Sequence, residues 1–129
     1  MTPPVSLRIL VVDDEPAIRK GVGRYLRQRG CAVEIAADGA KALDLVARAP
    51  FDAIVTDIQM PLMDGETFWR QAVTLHPHLR GRFLFCSALP LPVSVAAEPR
   101  IRFLPKPFEL AELWTALSDL LSDTPSSAD

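Results

Sequence analysis

No apolar run in the chain approaches the roughly 18 residues that a membrane-crossing helix needs, so no membrane partner is expected. Net charge is nearly absent as well: 14 Lys and Arg face 16 Asp and Glu, for a net charge of −2. Such a balance gives no global electrostatic reason to bind nucleic acid, and no direct nucleic-acid contact is expected. Cysteine is scarce. Cys31 and Cys86 are the only two; they have no metal-ligand spacing and no secretory context, so reduced structural thiols are expected. Met1, Thr2, Pro3 and Pro4 lack the charged and apolar regions of a signal peptide, which leads to a cytoplasmic expectation. No glycine-rich fingerprint follows the first apolar run, which argues against dinucleotide binding. No internal repeat is visible.

What is present suits a single core: 129 residues, 49% hydrophobic and 23% charged. Short apolar runs alternate with helical spacing. "LRILVV" (7–12) reads as a buried strand. Ile18, Val22 and Leu26 then recur at helical spacing, with Pro16 in the first turn and Gly30 at the stop. Further strands are read at 32–36, 51–57, 82–87 and 101–104. Asp38 suits the N-cap of a second helix, bearing Ala42, Leu43 and Val46. A third helix is expected over 65–75, started by Asp64-Gly65, and a last one over 109–122. Trp69 and Trp114 are read as helix-face packing residues, and His76 and His78 as solvated loop histidines. Residues 1–6 form an N-terminal extension, 7–122 the domain, and 123–129 a tail or the start of a linker. Strands that alternate with crossovers make an α/β fold with a parallel sheet and helices on both faces.

In open sheets of this kind, sites form beyond the carboxyl ends of the strands. Asp13 and Asp14 stand at the end of the first strand, Asp57 at the third, Ser87 at the fourth, and the fifth leads into Lys106. Lys106 lies between Pro105 and Pro107 in "FLPKPF", where two prolines exclude a helix interior or a central strand. Clustered carboxylates repel one another unless a cation joins them. Lys106 supplies one positive charge, and a hard divalent ion such as Mg²⁺ would supply more. A carboxylate beside Mg²⁺, an ammonium and a hydroxyl suits phosphoryl transfer with the carboxylate as nucleophile.

The motifs "ILVVDDEP" (9–16), "DIQMPLMDG" (57–65), Ser87-Ala88 and "FLPKPF" (103–108) together resemble the receiver domain of two-component response regulators, the CheY-like superfamily. The resemblance spans about 7–122. It implies a (βα)₅ flavodoxin-like, doubly wound parallel sheet of strand order 2-1-3-4-5. It implies that Asp57 accepts a phosphoryl group from a histidine kinase or phosphotransfer protein and that a conformational switch controls an output. Asp13, Asp14, Asp57 and the backbone carbonyl of Gln59 would hold Mg²⁺. Ser87 and Lys106 would bind the phosphoryl group, Phe103 would be the aromatic switch residue, and the Lys106–Pro107 peptide would be cis. Such a domain catalyses only its own phosphorylation and dephosphorylation. On this strand order Cys31 and Cys86 stand about 14 Å apart and do not pair.

Two other readings compete. Aspartyl-phosphate phosphatases resemble "DxDx[TV]", but Gln59 stands where their general acid would be. A pseudo-receiver that binds partners without phosphorylation would not need the acceptor residues that are present. One stretch departs from the family pattern. Residues 88–105, "ALPLPVSVAAEPRIRFLP", carry four prolines, and Pro99 disfavours helical geometry at Glu98. The fourth helix is therefore expected to be shortened or absent, the region mobile, and the partner surface from Leu89 to Arg100 altered. Ala116 stands where the DNA-binding class carries an interface arginine, so a monomer or weak dimer is expected. With no output domain after residue 122, the sequence fits a stand-alone receiver or the first domain of a longer protein.

Overall fold

The computed structural model describes residues 7–122; the extension at 1–6 and the tail at 123–129 lie outside the described residues. Strands β1 (Arg8–Val12), β2 (Ala32–Ala36), β3 (Ala53–Thr56), β4 (Phe83–Ser87) and β5 (Arg102–Pro105) form one parallel sheet in the order β2-β1-β3-β4-β5. Helices α1 (Pro16–Gln28), α2 (Gly39–Arg48), α3 (Gly65–Leu75), α4 (Val93–Ala96) and α5 (Leu110–Ser122) supply the crossovers, with a 3₁₀ turn over Pro77–Gly81.

Alternation along the strands divides the core between two faces. Leu10, Val12, Ile54, Phe83 and Phe85 point to the side that packs Phe68, Trp69 and Ala72 of α3. Ile9, Val11, Val55 and Leu84 point to the side that packs Leu26 of α1 and Leu113, Leu117 and Leu120 of α5. The central strand β3 is buried at every position, whereas edge strand β5 alternates between half-buried and exposed. An edge position also explains how Pro105 can end a strand.

The local stop and start signals act as their chemistry predicts. Gly30 has φ +90° after α1, a conformation that glycine adopts without penalty. Asp38 and Asp64 cap α2 and α3, accepting from the amides of Lys41 and Thr67 at 2.8 Å each. Of the two histidines only His76 differs from the sequence reading, since His78 is exposed. His76 is half-buried and its Nε2 lies 3.0 Å from the Val46 carbonyl of α2, while His78 Nε2 lies 3.4 Å from the Phe51 carbonyl. The last carbonyls of a helix lack internal partners, and His76 reaches one of them through space, which sequence spacing could not reveal.

The fourth helix is one short turn of four residues, between Pro92 and Pro99. Val95 is its only buried residue, and the Ser94 hydroxyl donates to Glu66 of α3 at 2.5 Å. That bond, then Arg70, holds the Glu66 carboxyl below its ordinary value. A single turn with one buried anchor opens easily. Its amides, Val95 to Glu98, should exchange with deuterium at least about a hundredfold faster than those of β4. Equal protection of the two segments in amide exchange would contradict this.

Cys31 and Cys86 are both free and both buried in the core beneath α1 and α5. Burial raises the pKa of both thiols, that of Cys86 to about 12. Since the thiolate is the reactive form, Cys86 should be labelled at pH 8 at least about a thousandfold more slowly in native protein than in urea. Equal rates, or a disulfide in non-reduced mass mapping, would contradict this.

Candidate functional site

The carboxyl ends of the five strands share one edge of the sheet, as all are parallel. Asp13 follows β1 and is held there by its amide on the Ala36 carbonyl, at 3.2 Å. Asp57 follows β3, with its amide on the Val12 carbonyl at 3.1 Å. Lys106 follows β5, and its amide donates to the Ser87 carbonyl at 2.9 Å. The next peptide bond, Lys106–Pro107, is cis. Backbone pairing thus brings three distant parts of the chain to one point.

Lys106 Nζ donates to Asp13 Oδ2 at 2.8 Å and to Asp57 Oδ2 at 2.9 Å. Side-chain exposure is only 10% for Lys106, 3% for Asp13 and 11% for Asp57. The other Asp57 oxygen, Oδ1, accepts from the amides of Ile58 at 2.6 Å and Gln59 at 3.2 Å. The carboxylate is therefore fixed on both sides. Asp14 is exposed, yet Asp13, Asp14 and Asp57 each place a carboxylate oxygen within 4.8 Å of the others. Burial pushes the Asp13 carboxyl above its ordinary range, against the opposing hydrogen bonds from Lys106 and the Glu15 amide. Burial alone would lower the pKa of Lys106; its hydrogen bonds to Asp13 and Asp57 more than reverse that and raise it. The ammonium stays charged across the neutral range.

Ser87 is buried at the end of β4, and its hydroxyl accepts from the Leu89 amide at 3.2 Å. Phe103 lies opposite Phe85 on β5, with 38% of its surface exposed. Several supporting contacts could not be read from the sequence. Glu15 Oε1 lies 3.7 Å from Lys106 Nζ, though its side chain is 62% exposed. Arg19 donates to the Asp13 carbonyl at 2.8 Å. A Cβ on Gly65 would come within 2.3 Å of the Asp57 carbonyl oxygen, so the start of α3 can approach the strand end only as glycine. The "DG" of 64–65 gave a turn signal, but not this close approach. An apolar groove of about 440 Å³ adjoins the cluster, lined by Ala17, Ile18, Val22, Phe108 and Leu110, with Lys106 also on its wall.

Residues 9–118 match the family model for the response regulator receiver domain. The chain belongs to the response regulator receiver family. Similar proteins include the sensor kinase CckA of Brucella abortus, 36% identical over 90% of this chain and 13% of that protein. The response regulator MprA of Mycobacterium tuberculosis is 38% identical over 93% of this chain and 53% of that protein. The receiver thus spans a small part of the first relative and about half of the second. Among solved structures, chemotaxis response regulator CheY4 of Vibrio cholerae matches with a TM-score of 0.82 and 30% identity, covering 91% of this chain and all of that one, 100%. The receiver domain of a sensor histidine kinase from Pseudomonas aeruginosa PAO1, solved with a magnesium ion in its active-site cleft, matches with a TM-score of 0.80 and 27% identity. It covers 92% of this chain and 100% of that one. Receiver domains are signalling modules of two-component systems, and among the described residues no helix is long and apolar enough to cross a membrane.

Proposed function

We propose that this receiver accepts a phosphoryl group on Asp57 from a histidine kinase or phosphotransfer protein and switches conformation to control an output. The observation that carries the reading is the doubly fixed Asp57 carboxylate, with two amides on Oδ1 and the Lys106 ammonium on Oδ2. A carboxylate needs no base to act as a nucleophile, and a fixed orientation removes much of the entropic cost of attack. Asp57 attacks the phosphorus, the bond from phosphorus to the donor nitrogen breaks, and an acyl phosphate forms. Lys106 lies where it can neutralise charge on the phosphoryl oxygens, and the buried Ser87 hydroxyl, which accepts from the Leu89 amide, can donate its own O–H to one of them. Phe103, which is partly exposed, is the proposed aromatic switch. The groove beside the cluster offers a protein donor an apolar seat.

The donor set suits a hard divalent ion. Asp13, Asp14 and Asp57 supply only oxygen, and together with Lys106 they leave negative charge uncompensated. Asp13, Asp14, Asp57 and the Gln59 carbonyl would hold Mg²⁺, which would neutralise developing phosphoryl charge. The test is Mg²⁺ titration followed by intrinsic fluorescence or NMR. Asp14→Ala and Asp57→Asn should each lower affinity about tenfold or more, whereas Glu15→Ala, at the N-cap of α1, should leave it nearly unchanged. Equal loss in Glu15→Ala would overturn this assignment, and failure of the wild type to bind Mg²⁺ would overturn the reading itself.

A further inference from the structure

Three carboxylates meet at the strand ends, and two of them are held by bonds of their own. Asp13 is bonded to the Lys106 ammonium and the Glu15 amide, and Asp57 to Lys106 and the amides of Ile58 and Gln59. Asp14 differs. It is exposed, and among the described residues no hydrogen bond or ion pair holds its side chain. Where its carboxylate stands is therefore decided by the backbone beneath it.

That backbone is the turn between β1 and α1. The Asp13 carbonyl belongs to the planar peptide that joins Asp13 to Asp14, so holding its oxygen fixes the direction in which Asp14 leaves. Arg19 Nη1 donates to this oxygen at 2.8 Å. The far side of the turn is closed by the Glu15 amide on Asp13 Oδ1 at 2.9 Å, and the Arg19 amide in turn donates to the Glu15 carbonyl at 3.0 Å. Arg19 thus grips the acidic turn with both its backbone and its side chain, and the side chain is half-buried.

We propose that Arg19 is a positioning residue: through the Asp13 carbonyl it sets the place of the Asp14 carboxylate in the Mg²⁺ site, on whose assignment this inference rests. An arginine beside acidic groups could instead be a plain counter-charge. Its donor goes to a carbonyl, however, and among the described residues it forms no ion pair with a carboxylate. Helix side chains lean toward the N-terminus, where a cation opposes the helix dipole, and α1 has no acidic residue in its first turn to offset one. The two roles also differ in sign. A counter-charge repels a dication, so its removal tightens Mg²⁺ binding. A group that orients a metal ligand does the reverse, and its loss costs about ten- to a hundredfold in affinity.

The test is Mg²⁺ titration followed by NMR, with urea unfolding in chelator to confirm that each protein is folded. Wild type is compared with Arg19→Met, Arg19→Lys, Asp14→Ala and the double variant of Arg19→Met with Asp14→Ala. Arg19→Met keeps an aliphatic stem and removes the donor, and it should weaken Mg²⁺ binding about tenfold. Arg19→Lys keeps a donor on a long stem and should stay within about threefold of wild type. Because Arg19 acts through Asp14, Arg19→Met should have no further effect once Asp14 is alanine. The proposal is overturned by unchanged or tighter binding in Arg19→Met, by a loss in Arg19→Lys as large as in Arg19→Met, or by a further full loss in the double variant. Lower stability of Arg19→Met with unchanged Mg²⁺ affinity would show a structural role alone, so that the proposal falls while the metal site stands. If wild type binds no Mg²⁺, the metal assignment falls first and the proposal falls with it.

Discussion

Asp57→Asn should reduce phosphorylation by a small phosphodonor to background, a loss of at least about a thousandfold. The amide keeps the size and shape of the side chain, and its oxygen can still accept from the Ile58 and Gln59 amides. What it loses is the negative oxygen beside Lys106. The loss should not come from unfolding. Three carboxylates lie within 4.8 Å of one another, with the Lys106 ammonium bonded to only two of them. Removing one charge relieves repulsion, so in the absence of Mg²⁺ the Tm of Asp57→Asn should match or exceed that of wild type. Stoichiometric labelling of this variant at another residue would show that the acceptor has been misassigned.

Lys106→Ala should destabilise the domain by roughly 2–4 kcal/mol at pH 7 without Mg²⁺, the cost of leaving buried charges without their partner. Asp13 and Asp57 would face each other with side-chain exposures of 3% and 11% and no ammonium between them. The pH dependence follows in sign. Burial already raises the Asp13 carboxyl above its ordinary value of 3.8 in the presence of Lys106, and the variant removes the opposing hydrogen bond. A carboxyl whose pKa is raised by folding contributes stability at low pH and loses it as pH rises through the folded-state value. The deficit relative to wild type should therefore be widest near neutrality and narrow as pH falls toward the ordinary carboxylate range. Lys106 of the wild type remains charged throughout, since its own pKa is raised. Urea unfolding at pH 7 and near pH 4 measures both deficits, and a deficit that is constant or grows at low pH would contradict the account.

The ends of the strands were legible in the sequence because two regularities act together. Short, β-branched apolar runs such as "ILVV" read as buried strands in a sheet covered on both faces, and parallel strands bring their carboxyl ends to one edge. Together these regularities put Asp13, Asp57, Ser87 and Lys106 at one edge of the sheet. The short α4 was legible for a different reason: Pro92 and Pro99 bracket a segment too small for a longer helix. Contacts between side chain and distant backbone left no such trace. The reach of His76 to the Val46 carbonyl spans 30 residues, and the approach of Gly65 to the Asp57 carbonyl depends on how α3 leaves the sheet. The positive φ of Leu62, +70°, was hidden for a third reason, as leucine carries no propensity signal for it.

The central claim is that Asp57 is a Mg²⁺-dependent phosphoacceptor, and intact mass followed by site mapping tests it most directly. Wild-type protein is incubated with acetyl phosphate and Mg²⁺, with a matched sample in chelator, while released phosphate is followed in parallel. The account predicts a gain of a single phosphoryl group per chain, mapped to Asp57 and absent in chelator. Rapid release of phosphate without accumulation of the labelled protein would indicate a phosphatase, no reaction would indicate a pseudo-receiver, and a stable phosphoryl group on any other residue would likewise contradict the account.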